Sequence, residues 1–474
     1  MNGTPLSDLF QSGGSLSTGR QFRFVWALSI PAILAQISSI IMQYIDAAMV
    51  GRLGANASAA IGVVSTSMWL IYGLGSAASA GFSVQVAQKV GAGEIAQAQQ
   101  VVREGVLCIT LFSVAVGLTA AVISPFLPVW LKADESLWLD ASSYFLVFAL
   151  SQPLVMLTTV SGLMLECSGN MKLPSILNTL LCVLDVVFNA LFIFPSRHIT
   201  LAGWEFLVPG FGLGVTGAAL GTAASQLVVG AMMLYAVLVK SPSLHLSPSG
   251  KWKLTAGVMK TARRISLPMA LEQVALCGAQ IVSTRIVAPL GTVAIAANSF
   301  GITAESLCYM PGYGIQSAAT TLVGQSSGAK RPDLAKKFAW LTVLSGMGVM
   351  TVCALIMYAA CPAVFAFLTP DQEVQKLCVH ILRIELWSEP LFGASIIASG
   401  ALRGIGDTLV PGLMNLVSIW GVRLTLAFFL SARYGLAGAW IGMCVELCFR
   451  GLLLLFRLAT HSFSDGTALY KNRN

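Results

Sequence analysis

Apolar residues run through this chain in long blocks separated by short polar segments. A membrane-spanning helix needs about 20 mostly apolar residues. About twelve blocks meet that need: 24–50, 57–82, 101–131, 139–165, 174–195, 210–239, 262–288, 293–322, 337–368, 376–402, 411–430 and 435–460. Apolar runs of this length, without the period-two alternation of barrel strands, predict helices. The expected class is therefore an all-α membrane protein.

The blocks also repeat. "LGANASAA" from Leu53 resembles "LGTVAIAA" from Leu290, and Gly54 and Gly291 stand 237 residues apart. The same spacing relates Gln36 to Gln273, Gln43 to Gln280, Gln88 to Gln325 and Gly91 to Gly328. It also relates Pro153 to Pro390, Gly169 to Gly406, Pro174 to Pro411 and Asn178 to Asn415. The spacing slips to 221 between Gly217 and Gly438, so the first half has a longer fifth-to-sixth connection, Ser196 to Pro209. Six spans per half is an even number. Both halves then start on the same side, as parallel repeats about an axis along the membrane normal. The expected division is an N-terminal tail (1–23), an N-lobe (24–239), a linker (240–261), a C-lobe (262–460) and a C-terminal tail (461–474).

Composition agrees with this reading. The chain is 56% hydrophobic and 10% charged, against about 25% charged in soluble domains, and its mean hydropathy is +0.79. The net charge of +8 does not point to nucleic acid, because no basic stripe interleaved with aromatics is present. Instead Lys and Arg crowd the loops of one side, as at Lys253/Lys260/Arg263/Arg264 and Lys330/Arg331/Lys336/Lys337. The other side holds only Arg52, Lys132, Arg197, Lys376, Arg383 and Arg433. The crowded side is expected to be cytoplasmic, with both termini and the linker there. No removable signal peptide is expected at the N-terminus.

The ten cysteines are scattered and form no metal-type pair, so packing explains them. A Walker A lysine motif, HExxH and GxSxG are absent. Gly212, Gly214 and Gly217 spell GxGxxG, but with no strand expected before them they read as close helix packing.

The duplicated motifs resemble those of the MATE family, the multidrug and toxic compound extrusion transporters. The likeness rests on "DAAMVGRLGANASAA", "VAQKVGAGEIAQA", "LPMALEQV", "VAPLGTVAIAAN" and "ALRGIGDTLVP", and covers about Gln21 to Arg457. It implies a V-shaped pair of pseudo-symmetric six-helix lobes. It implies export of cationic or amphipathic drug-like compounds, driven by inward movement of sodium ions or protons. It further implies no enzymatic step, no cofactor beyond the coupling ion, and a chain acting as a monomer among the lipids of a bacterial inner membrane. The major facilitator superfamily shares the two six-helix halves, but its Asp/Arg-rich loop after the second span is replaced here by "QKVGAGE".

Ionisable groups inside a membrane cost about 2.5–3.5 kcal/mol on insertion scales, so each needs a reason. In the first span Gln36, Ser39, Gln43 and Asp46 share one helix face, a polar stripe ending in a carboxylate. In the fifth, Asn178, Asp185 and Asn189 share another. By resemblance, Asp46 occupies a position where the family uses an aspartate. Proton-coupled members show Asn-xxx-Asp in the fifth span, whereas this chain reads Asp185-xxx-Asn189. In the second half, Glu272 follows Pro268, Glu305 shares a face with Asn298 and Tyr309, and Glu385 and Glu389 lie one turn apart before Pro390. Proline there frees a backbone carbonyl. Carbonyls with carboxylates suit sodium, and carboxylates without a counterion can carry protons. Resemblance to sodium-coupled members puts Glu272 with Glu389.

Plainer roles compete: Asp46 as a helix-junction cap, Asp185 as an interhelical hydrogen-bond partner, and Arg423 as the counterion of a second-half acid. Two other functions stand as alternatives. One is a flippase for lipid-linked precursors, disfavoured because the intramembrane groups are mainly acidic. The other is a membrane-embedded transferase, for which no nucleophile or metal constellation is present.

Overall fold

The computed structural model describes residues 17–201, 204–246 and 252–463. Most of both expected tails, and 247–251 of the linker, lie outside the described residues. In the first half, α1 is Thr18–Gly51, α2 Ala55–Gly91, α3 Ile95–Ile123, α4 Trp138–Cys167, α5 Lys172–Ile193 and α6 Gly214–Tyr235. In the second, α7 is Ala256–Val287, α8 Thr292–Gly328, α9 Pro332–Leu368, α10 Gln372–Glu385 and α11 Glu389–Gly404. The chain ends in α12 (Leu409–Val417), a π-helical turn (Ser418–Arg423), α13 (Leu424–Tyr434) and α14 (Leu436–Thr460).

Among the described residues, ten helical stretches are long and apolar enough to cross a membrane. Two of the expected spans fall outside that group. One is α8, 37 residues long but rich in Gly, Ser and Thr. The other is the tenth, which is not continuous. It breaks at Leu386–Ser388, where the Ser388 N–H donates to the Glu385 carbonyl at 2.7 Å. Pro390 opens the second piece, since its ring suits a first helical turn and breaks a helix interior. The third span is shorter than expected, ending at Ile123 before a single turn, Leu127–Trp130.

The all-α class holds, with one local addition. The long fifth-to-sixth connection is a β-hairpin, β1 (Pro195–Leu201) antiparallel to β2 (Trp204–Phe211). A search for 20-residue apolar runs cannot register strands this short. The Gly212/Gly214/Gly217 motif therefore does follow a strand. That strand belongs to a two-stranded antiparallel hairpin, not to the parallel βαβ unit a dinucleotide site requires. A Cβ on Gly217 would stand 2.4 Å from the Phe192 carbonyl O, so close packing of α6 on α5 explains this glycine.

Within the first half α2 and α3 pack on α4, α4 on α6, α6 on α5 and α5 on α1. Within the second, α8, α9 and α11 pack together and α11 leans on α14. Each half has its own apolar core, one containing Phe82, Ile109, Met156 and Met233, the other Phe338, Met350, Phe365 and Leu402. Between halves the pairing is exchanged, with α1 on α8 and α2 on α7, and α2 and α8 also meet.

The α2–α8 meeting lies at the end carrying Lys89 and Lys330, here called the basic end. A Cβ on Gly91 would stand 2.0 Å from the Gln325 carbonyl O, and one on Gly328 would stand 1.9 Å from that of Gln88. Only glycine permits this approach of backbone to backbone. Gln88 Nε2 donates to the Gly404 carbonyl at 3.0 Å, and Gln325 Nε2 to the Cys167 carbonyl at 2.8 Å. Each donor, acceptor and glycine is the 237-residue mate of its counterpart. The two lobes thus hold each other by the same contact made twice about a local two-fold axis.

Candidate functional site

In the first half, α1, α5 and α6 bring one polar group together. Asn189 Nδ2 donates to Asp46 Oδ1 and to Asp185 Oδ2, both at 2.9 Å. Ser225 Oγ on α6 donates to Asp185 Oδ1 at 3.2 Å. Asp185 and Asn189 are each 1% exposed, and Asn189 Oδ1 has no partner. The i, i+4 spacing of Asp185 and Asn189 sets them on one face of α5. A Cβ on Gly221 would come within 2.1 Å of Asn189 Oδ1, so glycine on α6 makes room for the amide. Among the described residues, no Lys, Arg or His nitrogen lies within 4 Å of either carboxylate. Two acids thus share one neutral amide without a counterion.

The second half holds more acids in a different arrangement. Glu385, Glu389 and Glu446 are fully buried, and both Glu389 oxygens and Glu385 Oε2 lack partners. Glu305, Glu385 and Glu389 lie within electrostatic reach of one another, as do Glu305, Arg423 and Arg450. Glu446 is paired with Arg450, whose Nε stands 3.0 Å from Oε1, and accepts from Ser418 Oγ at 2.7 Å. Arg423, the alternative counterion, stays within electrostatic reach of Glu305 and Glu446 but makes no ion pair within 4 Å with either. Its Nη2 instead lies 2.7 Å from Met443 Sδ, and Arg450 is the cation that makes the ion pair.

Glu272 stands apart from these acids. Its Oε1 accepts from Asn415 Nδ2 of α12 at 2.6 Å, while Glu389 keeps company with Glu305 and Glu385. Glu272 and Glu389, put together by resemblance, thus have different immediate partners. Proline at 390 and the break beside it keep Glu389 in the interior with Glu385. Of the supporting residues, Asn298 accepts from Trp440 Nε1 at 3.0 Å, and the Tyr309 ring meets Phe392 edge-on at 5.6 Å. Gln36 and Asn178 are half-buried and Gln43 is exposed, so the stripe on α1 runs from partly exposed positions to Asp46.

Sequence reasoning missed Ser225, Asn415 and the Glu446–Arg450 pair. The repeat could have found Asn415, since it is the mate of Asn178. The two lobes' polar groups are also joined. Tyr44 Oη on α1, two residues from Asp46, donates to the Thr303 carbonyl on α8 at 2.9 Å, two residues from Glu305.

A family model described as MatE matches residues 31–191 and 268–429, once in each half. This chain belongs to the MatE family. Like the solved MATE proteins, this MatE chain is a multi-pass membrane transporter, not an enzyme. It is 27% identical over 460 residues to a "probable multidrug resistance protein NorM" of Thermotoga maritima, covering 94% of each chain. A protein of the same name from Deinococcus radiodurans is 28% identical over 451 residues, covering 94% of this chain and 96% of that one. Its fold matches the Pyrococcus furiosus MOP superfamily transporter at a TM-score of 0.87 and 18% identity, over 100% of both chains. It matches a variant of the Vibrio cholerae MATE transporter VcmN at 0.86 and 19%, over 94% and 99%. The two six-helix halves are thus the lobes of the V-shaped MATE fold.

Proposed function

We propose that this MatE transporter exports cationic or amphipathic organic compounds from the cytoplasm in exchange for protons. The observation that carries the reading is the Asp46–Asn189–Asp185 group: two carboxylates, one shared amide and no cation. Like charges this close, in surroundings this dry, favour binding one positive charge between them. A proton needs only one carboxylate oxygen, and two acids sharing one amide without a cation supply it. The names of the bacterial relatives, probable multidrug resistance proteins, support the substrate class.

The C-lobe acids are a second store. Glu305, Glu385, Glu389 and Glu446 face two cations, Arg423 and Arg450. The group carries net charge unless protons fill the difference. With its protons lost, either lobe attracts a cationic compound. With protons taken up from outside, it releases one. Proton and compound must favour different lobe arrangements for coupling to follow. The Tyr44–Thr303 bond gives α1 and α8 a direct mechanical link. The basic end is assigned to the cytoplasm of a bacterial inner membrane. One chain provides both lobes and so suffices for transport.

The test is efflux of ethidium from proteoliposomes under an imposed proton gradient and, separately, a sodium gradient. Proton-driven efflux that is lost in Asp46→Asn and Asp185→Asn, with both variants folded, supports the assignment. Efflux driven by sodium alone transfers the coupling to sodium. No efflux under either gradient overturns the drug-export reading.

A further inference from the structure

On the C-lobe, at the end opposite the basic end, α10 presents an unusual face. It buries Val374, Cys378, Ile381, Leu382 and Glu385 and turns Lys376, His380 and Arg383 the other way, with Trp387 following in the break after the helix. The three basic residues stand at i, i+4 and i+7, one stripe of the helix. These three and Trp387 form one wall of a groove of about 560 Å³, lined also by Tyr358 of α9 and Cys444 of α14. The buried side of α10 packs on α8, the helix that faces the N-lobe, so the groove opens away from the lobe interface.

Depth follows from length. α9 has 37 residues, about 55 Å of helix against a hydrocarbon core of about 30 Å. Each end of α9 thus projects beyond the hydrocarbon by roughly 12 Å. Arg383 is eleven residues from the start of α10, about 17 Å down the helix. With α10 starting level with that projecting end, Lys376 lies at headgroup level, His380 at the hydrocarbon boundary and Arg383 roughly 5 Å inside it, from where its long side chain reaches back toward the headgroups. Trp387, 76% exposed, lies just below, its ring edge-on to Tyr358 at 6.4 Å. Aromatic rings at this level are ordinary for a membrane interface; a basic stripe on this side is not, because the opposite side holds nearly all the Lys and Arg.

The cations of the groove are also unspent. Among the described residues, no carboxylate lies within 4 Å of Lys376, His380 or Arg383. The Arg383 guanidinium lies over the Tyr358 ring at 4.7 Å, and its Nε is buried without a partner. A ring orients a guanidinium without neutralising it. Positive charge running from headgroup level to the upper hydrocarbon, along a groove of about 560 Å³ that ends on an exposed Trp387, matches the phosphodiester and upper acyl chain of a phospholipid.

We propose that this groove binds the phosphate of an anionic phospholipid from the leaflet around the sparsely charged end, with Arg383 and Lys376 as its donors and Trp387 against the acyl chain. A basic residue near a membrane surface contributes about fivefold in affinity for anionic lipid. Removing two lowers it about thirtyfold.

The full-length protein in neutral detergent would be titrated with phosphatidylglycerol, phosphatidylcholine and inorganic phosphate, with Tm and native mass spectrometry as readouts. The expected result is one retained phosphatidylglycerol and a raised Tm, with the midpoint shifted about thirtyfold in Lys376→Gln/Arg383→Gln. Phosphatidylcholine and phosphate should neither bind nor compete. Equal retention of both lipids, an unchanged midpoint in the double variant, or saturation by phosphate alone overturns the proposal. If Arg383→Gln fails to fold, Lys376→Gln, an exposed position, carries the test with an expected fivefold shift.

Discussion

Replacing Gly91 and Gly328 by alanine should open the basic end. A Cβ at 91 would lie 2.0 Å from the Gln325 carbonyl O, and one at 328 would lie 1.9 Å from that of Gln88. Both obstacles are backbone atoms, which no side-chain rotation can move, so α2 and α8 must part. Overpacking of this kind costs about 1–3 kcal/mol per site. Parting the helices also lengthens the Gln88–Gly404 and Gln325–Cys167 bonds, each contributing about 0.5–1.5 kcal/mol. The double variant then loses at least about 3 kcal/mol in this arrangement, a population change of roughly a hundredfold. Spin labels at Ala92 and Lys330, both exposed, would report the separation by double electron–electron resonance in nanodiscs. The short distance should dominate in the parent and give way to a longer one in the variant. Gln88→Ala/Gln325→Ala, which removes the bonds without adding bulk, should give the same shift to a smaller degree. A folded Gly91→Ala/Gly328→Ala protein with the parent's distance distribution would refute the seal.

Other outcomes follow from single contacts. Tyr44→Phe removes the bond from α1 to the Thr303 carbonyl of α8 and should lower transport driven by a proton gradient while leaving equilibrium drug binding within about twofold, since one neutral hydrogen bond is involved. Glu446→Gln leaves Arg450 buried without its partner and should cost about 3–5 kcal/mol, read as a lower Tm in detergent; Glu446→Gln/Arg450→Met should regain most of it, and failure to do so would show that packing, not charge, dominates there. Glu104 accepts both the backbone N–H (2.9 Å) and the hydroxyl of Thr255 at the start of α7. Glu104→Ala should therefore release the linker, raising protease cleavage near Thr255, with about 1 kcal/mol lost as for other helix caps. An unchanged cleavage pattern would remove Glu104 from that role.

Much of the architecture is legible in the sequence because the lipid solvent restricts the choices. Once the chain must bury its backbone polar groups in helices, apolar length gives the spans and the 237-residue repeat gives the lobes. The exceptions have local causes. The hairpin at 195–211 lies in a connection where lipid imposes no rule. The tenth span breaks because Pro390 and two buried glutamates outweigh its apolar content. Asp46, Asp185 and Asn189 were found from helical spacing and do meet. Ser225 was not, since a hydroxyl among apolar residues carries no charge signal. Glu272 and Glu389 are put together only by resemblance to sodium-coupled members, and a shared pair of spans does not say which side chains touch. The mates Gln88 and Gln325 show the same gap, since nothing in their spacing says that they reach across to opposite lobes.

Those reciprocal glutamine bonds have a further consequence. A contact in which each half gives the other what it receives has the form of an isologous dimer interface. Two copies of a single six-helix half would form it twice without any change of residue. The seal therefore has the form expected if a gene duplication fused an ancestral homodimer. The carboxylate groups do not share that symmetry: an amide bridges two acids in one lobe, and arginines face four in the other. The seal thus keeps the symmetry of the repeat where the carboxylate groups depart from it, so the lobes differ in their chemistry while sharing one joint.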